Sequence, residues 1–191
     1  MNLNTIKRMY LRYLLFLFFI VSCEPQESKN SYQAPSTIEK IETKNLLDNL
    51  NQDRLNKIRY VLTNRFNLKN IDLNKGFSFF IDISEIGNYI DCGFMNEEIY
   101  VDYIERIFGS SLKATVRLDL VEEDDLFNIE DMSINYLFQS KETGTRWKFK
   151  TNKPKELLVG NPVYDDNPYR ICMSVNTLEK EIIELIRMEN V

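Results

Sequence analysis

Apolar and polar residues follow two periods along the chain beyond residue 44. Apolar residues at three-to-four spacing predict amphipathic helices at about residues 45–67, 97–108 and 177–186. Alternation with a period of two predicts strands at about 77–83, 89–94, 112–120, 133–139, 146–151 and 169–175. The turn Glu142-Thr143-Gly144 joins two of these strands into a hairpin.

Helices and strands in this order are typical of a single α+β domain, here covering 45–191. We expect an antiparallel sheet of about four to six strands, packed with an N-terminal, a middle and a C-terminal helix. The 191 residues are enough for one domain with a hydrophobic core and are few for two.

The first 22 residues are organised as a secretory signal. Three basic residues, Lys7, Arg8 and Arg12, precede an apolar run over 13–21, and Ser22 follows it. The apolar run has nine residues, whereas a membrane-spanning helix needs roughly 20. We therefore expect a cleaved leader, 1–22, and not a transmembrane anchor.

The end of this leader, Ile20-Val21-Ser22-Cys23, resembles the lipobox of bacterial lipoproteins, with Ile in place of the commoner Leu. The resemblance implies that Cys23 receives a diacylglycerol on its sulfur, that cleavage precedes Cys23, and that the new amine is acylated, for instance with palmitate. It implies a lipid-anchored protein of the cell envelope, and Glu24 in place of Asp favours the outer membrane. The resemblance is confined to the leader, and the rest of the chain resembles no specific domain family.

Residues 23–44 are polar, with almost no apolar side chains, and are predicted to form a disordered tether. Cleavage before Cys23 leaves 169 residues of the 191, with 21 basic and 29 acidic side chains and a net charge of about −8. Such an acidic protein is a poor candidate for nucleic-acid binding, which needs concentrated positive charge.

The chain has no histidine, which excludes Ser-His-Asp and Cys-His catalysis and the commonest zinc ligand. It also has no GxSxG, Walker or GxGxxG motif. We predict no catalytic residue, no metal and no cofactor. Beyond Cys23 the chain has Cys92 and Cys172, for which a disulfide and two buried thiols both remain open.

Acidic residues cluster at 122–125, with Glu130 and Asp131 nearby. Carboxylates are ligands for Ca²⁺, but the EF-hand spacing around a central glycine is missing. A solvated acidic turn is the favoured interpretation, and a weak cation site is the alternative. The same holds for Asp165 and Asp166.

Five cations are predicted to lie on the polar side of the sheet. Two belong to the strand at 112–120 and three to the hairpin strand after it: Lys113, Arg117, Arg146, Lys148 and Lys150. They could bind an anionic or acidic partner, or they could decorate an exposed sheet and discourage edge pairing. Tyr164 and Tyr169 would suit the rim of a protein-recognition site.

These patterns predict a lipid-anchored envelope protein whose domain binds a macromolecular partner, a protein, without catalysis. An envelope-anchored immunity protein using its acidic face, and a histidine-free carboxylate hydrolase, remain as alternatives. A cleft with two carboxylates about 5–9 Å apart would favour the hydrolase. A concave apolar pocket would favour a small-ligand carrier.

Overall fold

The computed structural model describes residues 31–66, 68, 77–153, 155–159 and 170–188. The leader, Cys23, the acids Asp165 and Asp166, and the tyrosines Tyr164 and Tyr169 lie outside the described residues. Among the helices of the described ranges, none is long and apolar enough to cross a membrane.

The described elements comprise eleven strands and three α-helices, with a turn of 3-10 helix at Ile86–Asn88. The strands are β1 Tyr32–Gln33, β2 Lys44–Leu50, β3 Phe77–Ile83, β4 Ile90–Asp91, β5 Phe94–Met95, β6 Glu98–Ile99, β7 Ser110–Glu123, β8 Leu126–Ser140, β9 Arg146–Lys150, β10 Lys155–Val159 and β11 Ile171–Ser174. The helices are α1 Gln52–Phe66, α2 Tyr100–Phe108 and α3 Thr177–Met188.

The main sheet has the strand order β3-β7-β8-β9-β10-β11-β4, and β2 pairs with another part of the long strand β8. A small second sheet has the order β1-β5-β6. Every described pairing is antiparallel. The predicted α+β class, with an antiparallel sheet and an N-terminal, a middle and a C-terminal helix, is confirmed.

The three described helices all pack on the same face of the main sheet. Strand β7 alternates buried and more exposed residues, with its side chains from Leu112 to Leu118 buried at every second position. On this inner face, Phe66 of α1 stacks on Phe79 of β3, and Tyr100 of α2 meets Trp147 of β9 edge-on. The opposite, outer face carries the polar positions of the alternation, as expected for an antiparallel sheet with one solvated side.

The first helix begins later than its hydrophobic pattern predicted. Residues 45–50 were predicted to be helical, but they belong to β2, in which Leu47 pairs with Ile129 of β8. The left-handed φ of 57° at Asn49 interrupts any helix there. The side chain of Asn51 then accepts the Arg54 N–H at 3.0 Å, an N-cap that starts α1 at Gln52.

The predicted disordered tether, 23–44, differs from the structure over 31–44. There β1 pairs with β5, the Tyr32 hydroxyl accepts the Ile171 N–H at 3.0 Å, and the Ile41 N–H donates to the Asn152 side chain at 2.9 Å. These bonds satisfy backbone groups that a tether would expose to water. The compact unit therefore begins at Ser31 and not at residue 45.

Cys92 and Cys172 are joined in a disulfide, with an S–S distance of 2.04 Å. Of the two arrangements that the sequence left open, the structure contains the bridge. It connects the residue after β4 to β11, and both side chains are buried. Because 80 residues separate the two cysteines, the bridge closes a long loop around the central strands.

Candidate partner-binding face

The five predicted cations lie together on the outer face of the main sheet, and we call them the cationic face. Strand pairing places Lys113 of β7, Leu137 of β8 and Lys148 of β9 in one row. All five side chains are exposed, and they come from β7 and β9 on either side of β8: Lys113, Arg117, Arg146, Lys148 and Lys150. The strict alternation of these strands therefore predicted their common orientation.

Strand geometry sets the spacing of the cationic face. Neighbouring strands lie about 4.8 Å apart, so the backbones at Lys113 and Lys148 are about 10 Å apart across β8. Along β9, residues that share a face recur every 7 Å or so, which is the spacing of Arg146, Lys148 and Lys150. This is also the spacing of alternate side chains in any extended strand.

Two of the cations have acidic neighbours. Lys113 Nζ lies 3.7 Å from Asp82 Oδ1, and Arg117 Nε lies 2.6 Å from Asp119 Oδ1. All four side chains are well exposed, so these surface pairs add little to stability. In contrast, the described residues provide no ion pair within 4 Å for any of the three cations of β9. Strand β9 thus presents positive charge that the described domain does not neutralise.

Apolar groups share the outer face with these cations. Phe80 of β3 is 76% exposed, and it pairs with Thr115 beside the row of Lys113. Leu137, between Lys113 and Lys148, is half-buried. A surface that combines an exposed aromatic ring with arginine matches the residue types enriched at protein interfaces.

The acidic cluster at 122–125 forms the tip of the β7–β8 hairpin. Asp124 and Asp125 adopt left-handed φ values of 49° and 63°, the combination that a tight two-residue hairpin turn requires. All four carboxylates are exposed, while Asp131 accepts a hydrogen bond from Thr43. Across the described ranges, no three acidic or cysteine side chains are grouped so as to hold a metal ion.

A buried polar cluster surrounds Glu179 and was not predicted from the sequence. Its carboxylate is fully buried and accepts hydrogen bonds from the hydroxyls of Thr151 at 2.8 Å and Ser174 at 2.9 Å. The Ser174 hydroxyl also lies 3.3 Å from the Tyr136 hydroxyl, and burial, followed by the nearby Glu179 charge, raises the pKa of Tyr136. The cluster joins β8, β11 and α3 through hydrogen bonds between buried side chains. The sequence feature that could have predicted this cluster is Glu179 itself, an acidic residue on the apolar side of the last helix.

A cavity of about 290 Å³ lies between α1, the end of β3 and α3. The acids among its lining residues are Asp82, Glu85 and Glu181. Glu181 is paired with Arg65 and Asp82 with Lys113, while Glu85 accepts a hydrogen bond from the Asn88 side-chain amide at 2.8 Å. The hydrogen bond and charge of Glu181 raise the pKa of Arg65, and burial raises the pKa of the neighbouring Tyr89. Each of the three acids therefore has a partner among the described residues.

A second cavity, of about 280 Å³, lies beneath segment 37–40. Its other walls include Asn152 and Met173, and Lys150 borders it at the end of β9. Lys150 therefore belongs both to this cavity and to the cationic face.

Comparisons of the chain with protein-family models, with curated proteins and with solved structures found no match.

Proposed function

We propose that this chain is a lipid-anchored protein of the cell envelope, held in the outer membrane, whose domain binds an acidic protein through the cationic face and catalyses no reaction. The leader and Cys23 supply the anchor in this proposal. The observation that carries the binding role is the set of cations on β9, Arg146, Lys148 and Lys150, for which the described residues provide no ion pair.

The spacing of these cations favours an extended acidic segment as the partner. Carboxylates on alternate residues of a strand recur at about 7 Å, which matches the spacing along β9. Phe80 and Leu137 provide apolar contacts beside the charges. In an otherwise acidic domain such a local positive face would steer an acidic partner to one orientation and raise its association rate.

The immunity-protein alternative would use the opposite charge. It is favoured by the exposed carboxylates at the tip of the β7–β8 hairpin, which project from the end of the sheet at 122–125. Its partner would be basic. Charge reversal at β9 would then leave binding unchanged, which separates the two proposals.

The test is affinity capture with residues 31–191 from extracts of the producing cells. The variant Arg146→Glu/Lys148→Glu/Lys150→Glu is expected to capture at least tenfold less partner than the unaltered domain, because repulsion replaces attraction at three positions. Capture by the unaltered domain should also weaken as salt is raised.

The matched control is Lys57→Glu/Arg59→Glu/Lys180→Glu, which changes the net charge equally on exposed positions of α1 and α3. It should capture the same partner as the unaltered domain. Equal capture by the β9 variant and the unaltered domain would contradict the proposal.

A further inference from the structure

Strand β3 is an edge of the main sheet. It pairs with β7 on one side, in continuous register from Phe77 opposite Leu118 to Ile83 opposite Leu112. On its other side, no backbone hydrogen bond to another described residue is made by any residue of 77–83. The outward N–H and C=O groups of this edge are therefore ready to pair with another strand.

Several of the usual protections of an edge strand are missing from β3, in which Asp82 is the one charged residue. It contains no proline and no lysine, and its pairing with β7 has no bulge. Its central residue, Phe80, is 76% exposed on the outer face. An unbulged, seven-residue edge with an exposed aromatic ring at its midpoint is a favourable template for strand addition.

The geometry points to a second copy of this chain as the strand that pairs with β3, in an antiparallel dimer whose two-fold axis passes beside Phe80. Phe80 is the fourth of the seven residues of β3, so antiparallel pairing of the strand with itself brings Phe80 opposite Phe80 of the partner subunit. A two-fold interface requires this kind of self-complementarity, because the same strand contributes to both sides of it. Pairing with a strand of an unrelated protein carries no such requirement.

The other pairs of this register are compatible as well. On the inner face Phe79 lies opposite Ile81 of the partner subunit, and Phe77 lies opposite Ile83 of the partner subunit, so apolar side chains meet apolar ones. On the outer face Ser78 lies opposite Asp82 of the partner subunit, so no two like charges face each other.

The outer row that crosses the interface brings no two like charges next to each other. Within one subunit Lys113 is in register with Asp82, and Arg117 is in register with Ser78. Across the two-fold axis the row therefore runs Lys113, Asp82, Ser78 of the partner subunit and Arg117 of the partner subunit. Asp82 of each edge strand lies beside Lys113 of its own subunit and a serine of the partner subunit, whereas a register that placed Asp82 opposite Asp82 of the partner subunit would bring two like charges together.

The dimer has a consequence for the outer face. A two-fold axis perpendicular to the sheet keeps both outer faces on the same side, so the two cationic faces become one continuous surface. An extended acidic partner could then contact both copies, and avidity would raise the apparent affinity without any new type of contact. The dimer itself does not depend on the proposed function and can be tested without a partner.

The first test is cysteine cross-linking of residues 31–191, whose native cysteines are both in the disulfide. Phe80→Cys should give a covalent dimer under mild oxidation, because directly opposed residues have Cβ atoms about 5 Å apart. Ser78→Cys is the control, since its two copies would be about 14 Å apart along the strands. Mixed Ser78→Cys and Asp82→Cys chains should cross-link with each other.

The second test uses sedimentation velocity at micromolar to 100 µM protein. The unaltered domain should show a concentration-dependent dimer, whereas Phe80→Lys and Phe80→Glu should each be monomeric, with circular dichroism confirming that both are folded. An equimolar mixture of these two variants should dimerise again, because opposite charges then meet at the axis. A domain that stays monomeric, or a dimer that both variants retain, would overturn the inference.

Discussion

Replacing Cys23 with serine is expected to release the protein from the membrane fraction. A hydroxyl cannot take the thioether-linked diacylglycerol that the lipobox resemblance implies, so the anchor would not form. Each buried methylene of an acyl chain contributes about 0.8 kcal/mol to membrane binding, and stable anchoring takes at least two chains. The measurement is metabolic labelling with an alkyne fatty acid, followed by separation of membranes from soluble material.

The control for this change is Ser22→Ala, which keeps a small residue before Cys23 and should leave labelling and membrane association unchanged. Membrane retention of the Cys23→Ser protein, without label, would show that the attachment lies elsewhere and that the leader has been misinterpreted.

Removing the disulfide is expected to cost about 4 kcal/mol of unfolding free energy. The bridge joins Cys92 and Cys172 across 80 residues, and in the chain-entropy description a loop of that length restricts the unfolded state by an amount on this order. Urea unfolding of residues 31–191 should therefore show a lower midpoint for Cys92→Ala/Cys172→Ala.

The unaltered domain in reducing agent supplies a matched comparison, because it loses the bridge without losing any side-chain atoms of the core. It should be destabilised by a similar amount. Two titratable thiols in the unreduced domain, detected by mass spectrometry, would contradict the bridge itself.

The long strands and the last helix could be predicted from the sequence because their patterns are local and clean. Strand β7 alternates from Leu112 to Leu118 with few exceptions, and residues that alternate on a strand must share a face. The common orientation of the cationic face follows from the same rule, without any knowledge of the fold.

Strand β2 was missed because irregular pairing disguised it. Its pairing with β8 shifts register on both sides of Leu47, and the left-handed Asn45 and Asn49 turn the chain between its buried residues. Because of these turns, the buried residues of β2 are Leu46, Leu47 and Leu50, and this spacing resembles one face of a helix. Hydrophobic periodicity cannot separate these two cases over so short a segment.

The last strand shows a different limit. Its more buried side carries Cys172 and Ser174, while the apolar Ile171 and Met173 are only half-buried. Cys172 is buried because it forms the disulfide with Cys92. The Ser174 hydroxyl can be buried because it donates a hydrogen bond to the Glu179 carboxylate. Cys92 is 80 residues away from Cys172, and Glu179 belongs to the pattern of the last helix. The alternation of β11 alone therefore does not indicate which of its sides faces the core.

Segment 31–44 depended on partners far away in the chain. Its order comes from side chains such as Asn152, which accepts the Ile41 N–H, and Asn176, which donates to the Glu39 carbonyl at 2.8 Å. Composition describes what a segment can bury by itself. It does not describe which hydrogen bonds distant side chains of the domain form with the backbone of that segment.

Photo-cross-linking in the producing cells tests most directly whether the cationic face contacts a protein partner at the cell envelope. A benzoylphenylalanine at Asn135, which lies in the row between Thr115 and Lys150, is expected to give a discrete adduct with another protein. The adduct should disappear when Arg146, Lys148 and Lys150 are changed to glutamate. An adduct that forms from position 57 on α1 but not from position 135 would contradict the account.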